Sequence, residues 1–340
     1  MKKIILSALT IGLVSCGAHQ SKNIENADVM EYANTITAQE LSDHLYTFAS
    51  DEFEGRETGE PGQKLAAEYL KTEYKKLNIP SPLGGDNYYQ PVPGSVFRGD
   101  VKDSENVLAF IEGSEKPEEI LVISSHYDHV GIDDEGNIYN GADDDGSGTV
   151  AILEIAEAFM QAKKDGFTPK RSILFLNVTG EEKGLVGSKY YTDNPVFPLA
   201  QTVANLNIDM IGRIGEGMEN SGDYVYLIGS DKLSTQLHEL SEEVNNKYLN
   251  LTLDYTFNDE NDPNRFYYRS DHYNFAKNNI PIIFYFNGVH ADYHKMTDTP
   301  DKIEYDLLEK RAKLVFLTAW EIANRDERPF VDKPVDTAAN

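Results

Sequence analysis

His126 and Asp128 stand at the end of an apolar run, Ile120-Leu121-Val122-Ile123, and an acidic, glycine-rich stretch follows them. That stretch closes on Gly141-Ala142-Asp143-Asp144-Asp145-Gly146-Ser147-Gly148. Neutral imidazole nitrogen and ionised carboxylate oxygen are both good ligands for a borderline divalent cation such as zinc. Other apolar runs end in the same way. Residues 171–178 lead to Gly180-Glu181-Glu182, residues 203–208 to Asp209, and residues 281–286 to a loop carrying His290, Asp292 and His294. A single His or Asp at such a place is ordinary loop chemistry. Four run ends presenting His, Glu, Asp and His are the makings of one site. Glu181 and Glu182 repel each other unless something cationic separates their tasks, one binding metal while the other carries protons. Taken alone, that pair reads first as a solvated acidic turn before Lys183.

The apolar runs have the length and near-continuous hydrophobicity of strands buried on both faces of a mostly parallel sheet. Residues 106–111, 120–125, 171–178, 203–208, 224–228 and 281–286 read this way. Helical spacing appears between them, over residues 148–162, 233–248 and 306–323, and before them over 37–48 and 62–77. Thr37 with Glu40 three residues on is a capping signal. Leu65, Ala66, Tyr69, Leu70, Tyr74 and Leu77 form the expected apolar side of the helix over 62–77. Strands alternating with helices predict an α/β fold, a three-layer α/β/α sandwich around a mixed, mostly parallel sheet. Open sheets of this kind bind ligands just past the C-terminal strand ends, where the candidate residues lie.

The chain has 340 residues and a net charge of −26, which excludes nucleic acid and anionic lipid as partners of the protein surface, since both need clustered Lys and Arg. Lys2 and Lys3 precede a short apolar run over residues 4–14, so residues 1–15 read as a signal peptide. Leu13-Val14-Ser15-Cys16-Gly17 resembles a bacterial lipoprotein box. An ordinary signal peptide with an incidental Cys is the alternative. Cys16 is the only cysteine, so an exported mature domain would carry no disulfide. The expected organisation is a lipidated Cys and tether over 16–36, one domain over 37–328 and a tail over 329–340. The expected location is the cell envelope, with membrane contact only through lipid on Cys16. No HExxH, GxSxG, P-loop or GxGxxG is present.

The set His126-Tyr-Asp128, residues 141–148, Gly180-Glu181-Glu182, Asn207-Ile-Asp209-Met-Ile-Gly-Arg213 and His294-Lys-Met-Thr-Asp-Thr-Pro-Asp301 resembles the M28 family of dizinc exopeptidases. Gly55-Arg56-Glu57-Thr58-Gly59 and the helix after it are similar to that family too, and the likeness runs from about residue 40 to about residue 323. The resemblance implies two zinc ions per chain, His126 and Asp209 on one, Glu182 and His294 on the other, and Asp144 bridging both. It implies a cis bond between Asp144 and Asp145. It also implies a metal-bridged water as nucleophile, Glu181 as general base, and Asp128 orienting His126 from behind. Four positive charges against three ligand carboxylates would offset the repulsion among Asp144, Glu182 and Asp209.

The expected activity is removal of the N-terminal residue from peptides with a free N-terminus. Three rivals stay open. A carboxypeptidase or dipeptidase would hold a C-terminal carboxylate through Arg213, Arg265 or Arg269. A glutaminyl cyclase would use one zinc. A non-catalytic surface receptor would keep the fold alone. Among neighbouring residues, His129 and His290 read as structural, Ser270 or Asp271 as a helix cap, and Tyr293 as a pocket wall. The loop over residues 258–264 reads as solvated and acidic rather than as a calcium site.

Overall fold

The computed structural model describes residues 22–334. Ten strands are present: β1 (Tyr89–Val92), β2 (Ser104–Ile111), β3 (Lys116–His126), β4 (Gly131–Ile132), β5 (Ile138–Tyr139), β6 (Arg171–Val178), β7 (Thr202–Ile208), β8 (Tyr224–Ile228), β9 (Thr252–Asp254) and β10 (Ile282–Phe286). Eight helices accompany them: α1 (Val29–Ala33), α2 (Ala38–Phe48), α3 (Pro61–Lys76), α4 (Gly148–Lys164), α5 (Val186–Asp193), α6 (Thr235–Tyr248), α7 (His272–Ala276) and α8 (Tyr305–Asn324). Eight strands form one sheet in the order β1-β2-β6-β3-β7-β10-β8-β9, and β4-β5 is a small separate hairpin. The central four, β6, β3, β7 and β10, are mutually parallel. β1, β2 and β8 join antiparallel to their inner neighbours. This is the expected mixed, mostly parallel α/β/α arrangement.

Alternation along the strands divides the interior into two cores, because successive side chains point to opposite faces. Leu121, Ile123, Ile173, Phe175, Leu206 and Ile283 face the core shared with α2, α3, α4 and α8. Ile120, Val122, Leu174, Leu176, Ile282 and Phe284 face the other, with Tyr191 of α5 and Phe275 of α7. Every residue of β6 is buried, as the continuous apolar run requires.

Local signals hold where chemistry is local. Thr37 caps α2: its Oγ1 accepts from the Glu40 N–H at 3.2 Å and donates to the Glu40 carboxylate at 2.7 Å. Two expectations need correction. Leu65 is 46 % exposed, because it lies well over a quarter turn away from the stripe of Ala66, Leu70 and Tyr74 that α3 buries. The tether expected over residues 16–36 does not reach residue 36. Ile24, Val29, Tyr32, Ala33 and Ile36 are buried in the main core, with Tyr32 stacked on Trp320 of α8. Apolar residues spaced through a polar stretch are enough to pin it to the domain. Within the expected tail, the Asp332 carboxylate accepts from the Thr235 N–H at the start of α6. The expected signal peptide and the expected lipid site at Cys16 lie outside the described residues.

Candidate metal centre

The order β6-β3-β7-β10 sets four C-terminal strand ends side by side, and the candidate ligands stand on them. His126 is the last residue of β3 rather than the first of the loop, paired in register with Val178 of β6. Its Nδ1 donates to the backbone carbonyl of Asp128 at 3.0 Å, which leaves Nε2 bare and turned inward. Nε2 lies 3.1 Å from Asp144 Oδ1 and 3.7 Å from Asp209 Oδ1. On the other side of Asp144, Oδ2 lies 3.0 Å from His294 Nε2, which is itself 3.1 Å from Glu182 Oε1. All five expected ligands therefore converge, and Asp144 offers one oxygen to each side.

His129, read from the sequence as structural, belongs to this cluster. Its Nδ1 lies 3.1 Å from Glu182 Oε1 and 3.7 Å from Asp144 Oδ2, and its ring is fully buried. Neither ring nitrogen has a partner in hydrogen-bond geometry. Asp144 Oδ2 and Glu182 Oε1 are likewise buried and unsatisfied. Buried polar atoms are normally paired. Orphaned oxygens and nitrogens facing one another from His, Asp and Glu are the donor set of a divalent cation. His126 with Asp144 and Asp209, and His129 with Asp144 and Glu182, each bring their ligand atoms within 4.8 Å of one another. The residues fit zinc. A sequence signal existed for His129, three residues after a ligand His, but only the fold brings its ring to Glu182.

Electrostatics tell the same story. Burial works against charge at Asp144, but the neighbouring imidazoles of His129, His126 and His294 outweigh it and hold its carboxyl well below the usual range. Burial also opposes charge on His294, yet Asp144 and Glu182 hold its imidazole up, at about 10. These carboxylates need positive charge among them. Glu181 differs. Burial pushes its carboxyl well above the ordinary value, with His126 opposing and Glu182 and Asp209 adding. Its carboxylate makes no hydrogen bond among the described residues. It lines a cleft with Asp144, Asp209, Met210, Phe284, Phe286 and Tyr293.

Asp128 works differently from expectation. Its carboxylate is 3.8 Å from His126 Nδ1, too far for a hydrogen bond, and only its backbone carbonyl orients the ring. The carboxylate accepts instead from the Thr58 hydroxyl at 2.7 Å and from the Glu181 N–H at 3.2 Å. It thereby fixes the turn that carries Glu181. The bridging loop, over residues 142–147, is held from three directions. Asp298 Oδ2 accepts from the N–H groups of Asp143 and Asp144 at 2.9 and 3.2 Å. Asp143 accepts from Gly212 N–H, and Asp145 from Met210 N–H and Gly148 N–H, tying the end of β7 to the start of α4. The Asp144–Asp145 peptide is cis. His290 is structural, its Nε2 3.1 Å from Asp143 Oδ2.

Arg56 fastens the end of β3, beside His126, to the loop that carries Asp144. Its fully buried guanidinium donates to the carbonyls of Tyr127 (3.0 Å), Asn140 (2.6 Å), Gly141 (2.8 Å) and Phe48 (3.3 Å). Burial lowers its pKa to about 10, so it stays charged at neutral pH. Ser270 and Asp271 do not cap α7. Ser270 Oγ accepts from Asn207 Nδ2, and Asp271 Oδ1 accepts from Ser188 Oγ at 2.5 Å. Tyr293 does wall the cleft, stacked on His294 with ring centroids 3.9 Å apart. Tyr285 packs in the core, and Tyr267 faces away from the site toward Lys232.

Known proteins resemble this chain in sequence and in fold. Among curated relatives, a probable glutamate carboxypeptidase of Arabidopsis thaliana is 35 % identical over 106 residues, 31 % of this chain and 14 % of that protein. Leupeptin-inactivating enzyme 1 of Streptomyces exfoliatus is 31 % identical over 183 residues, 54 % of this chain and 36 % of that protein. The chain thus spans well under two thirds of the length of either relative. Among solved structures, the LapA aminopeptidase of Legionella pneumophila superposes with a TM-score of 0.68 at 21 % identity, covering 96 % of this chain and 81 % of the other. The zinc aminopeptidase BSAP of Bacillus subtilis superposes with a TM-score of 0.66 at 17 % identity, covering 87 % and 98 %. These likenesses show the fold. The description of peptidase family M28 matches residues 106–319, more than half of the chain. The chain belongs to peptidase family M28.

Proposed function

We propose that the chain is a zinc-dependent exopeptidase that removes the N-terminal residue of peptides with a free N-terminus. The observation that carries this reading is the shared bridging position of Asp144, one oxygen to each of two groups of donors, beside a Glu181 carboxylate left without a partner. Two zinc ions, one on His126 and Asp209 and one on Glu182 and His294 with Asp144 between, would polarise the scissile carbonyl and acidify a water. The zinc aminopeptidase of Bacillus subtilis, which shares the fold, supports the metal and the reaction class.

The remaining work falls to the chain's own side chains. Glu181 takes the proton from the attacking water and returns it to the leaving amine, a task its position at the cleft wall suits. Asp128 keeps Glu181 in place through the backbone N–H it accepts. Asp144, Asp209 and Glu181 give the cleft an acidic wall, the environment a substrate ammonium seeks. Met210, Phe284 and Phe286 exclude water from the other wall. The proposal extends to location: residues 1–15 direct export and a lipid on Cys16 holds the domain at the bacterial envelope. Replacing Cys16 with Ser would release it into the soluble fraction.

The test has two arms. Glu181→Gln should bind the same amount of zinc as wild type and lose turnover by about 10²–10⁴-fold, the usual contribution of a positioned base. A near wild-type rate would remove Glu181 from that role. One short peptide should then be offered free, N-acetylated and C-amidated. Cleavage that needs a free N-terminus and ignores amidation supports the aminopeptidase. Loss on amidation would turn the reading toward a carboxypeptidase or dipeptidase.

A further inference from the structure

Three arginines near the site could bind a substrate carboxylate, and their surroundings separate them. Arg213 is already engaged, its Nη2 3.0 Å from Asp292 Oδ2 and its Nη1 3.9 Å from Asp298 Oδ1. Arg265 lies over the Tyr268 ring, in a depression shared with Asp259, Glu260 and Asp262 that does not include the metal ligands. Arg269 is different. It lines the same cleft as Asp144, Glu181 and Asp209, and it is the only basic residue that does. Among the described residues its guanidinium makes no hydrogen bond and no ion pair. Its guanidinium carbon lies 5.0 Å from the centroid of the Phe266 ring, and the residue is exposed to solvent.

We propose that Arg269 selects substrates by a carboxylate. The inference rests on the exopeptidase reading and names the substrate class for it: peptides presenting a carboxylate one residue's reach from the scissile bond. Such a group has two sources, the side chain of an acidic N-terminal residue or the C-terminal carboxylate of a dipeptide. The base of Arg269 is fixed, because the next two residues, Ser270 and Asp271, are buried and hydrogen-bonded to Asn207 and Ser188. The floor beside it is apolar: Phe266, Phe284 and Phe286 are all less than 10 % exposed. A short methylene stem packs on such a floor while its carboxylate meets a guanidinium that lies over an aromatic ring. A charge-assisted hydrogen bond of guanidinium to carboxylate is stronger than one between neutral groups. The chain carries 57 acidic and 31 basic residues. An arginine without a partner at an acidic cleft is therefore free to receive one from the substrate.

The experiment compares wild type, Arg269→Gln and Arg269→Lys on Glu-Ala-amide, Gln-Ala-amide and Gln-Ala with a free carboxyl. Two ratios of kcat/KM are read: Glu over Gln in the amides, and free acid over amide in the Gln pair. One ratio should exceed about tenfold in wild type, fall toward one in Arg269→Gln and survive in part in Arg269→Lys. The ratio that falls identifies the source of the carboxylate. Equal ratios in wild type and Arg269→Gln would overturn the proposal. Calorimetric binding of glutamate and glutamine to the zinc-loaded protein gives a readout without turnover. Arg269→Gln should weaken glutamate selectively, and unchanged binding would also overturn the proposal. If wild type cleaves none of the three peptides, the exopeptidase reading fails, while the calorimetry still judges Arg269.

Discussion

The two sides of Asp144 are built from different materials. On one side stand His126, the last residue of β3, and Asp209, the first residue after β7. They are 1 % and 8 % exposed, and the strands that carry them are paired in register through Ser124 and Asn207. On the other side stand Glu182 and His294, both on loops. The His294 side chain is 38 % exposed, and its backbone sits at φ +54, in the left-handed region that side chains usually avoid. Behind this looser side the fold sets a second, fully buried imidazole, His129. A ligand fixed by a strand ladder loses little freedom when it binds an ion, whereas one on a loop must be ordered. The strand side is the pre-formed half of the site, and the loop side is the half that is held by loops and backed by His129.

The most damaging change should be the one that removes the shared ligand. Asp144→Asn is expected to lower bound zinc on both sides and turnover by at least about 10³-fold. Two equivalents of zinc retained, measured by elemental analysis after dialysis, would mean that the two sides do not depend on a common bridge.

A second test reaches under the strand side, to α4, the helix that begins at the bridging loop. Burial pushes the Glu154 carboxyl on this helix up to about 8 and holds His44, 3.4 Å away, below its ordinary value. Near neutral pH the two therefore meet as uncharged groups rather than as an ion pair. The folded chain keeps a proton on Glu154 that the unfolded chain loses above its ordinary value of 4.5. This contribution to stability is complete below about 4.5 and is lost as pH rises towards 8, an effect on the order of 5 kcal/mol. Glu154→Gln should flatten the fall in stability between pH 5 and pH 8, followed by urea unfolding. An unchanged slope would show that the carboxyl is hydrated in solution.

The smallest effect is expected at the brace. His129→Gln should weaken zinc on the loop side by about tenfold, the scale of losses seen around metal ligands, and leave the strand side unchanged. A chelator titration would resolve the two steps. If both steps moved together, or neither did, the asymmetry described above would not extend to binding.

Much of this was legible in the residues. The inner strands β6, β7 and β10 are near-continuous apolar runs, so their burial follows from composition, and candidate ligands stand where those runs stop, whereas the edge strands β1 and β9 carry no such signal. The sequence could not show direction. Asp128 lies near His126 in any reading, but only coordinates reveal that its carboxylate turns to Thr58 and Glu181 while its carbonyl takes the imidazole. His129 looked like a bystander because its role depends on Glu182, more than fifty residues on. Leu65 was assigned to the wrong face of α3 because a one-residue step around a helix moves a side chain about 100°. Residues 16–36 read as a tether because their apolar members are sparse, yet Ile24, Val29, Tyr32, Ala33 and Ile36 join the main core, where α1 packs against α4 and α8.

Arg56 holds four carbonyl oxygens and no carboxylate ligand. Its tie between the end of β3 and the loop of Asp144 therefore needs no ion: it is made of the chain's own carbonyl oxygens and one buried guanidinium.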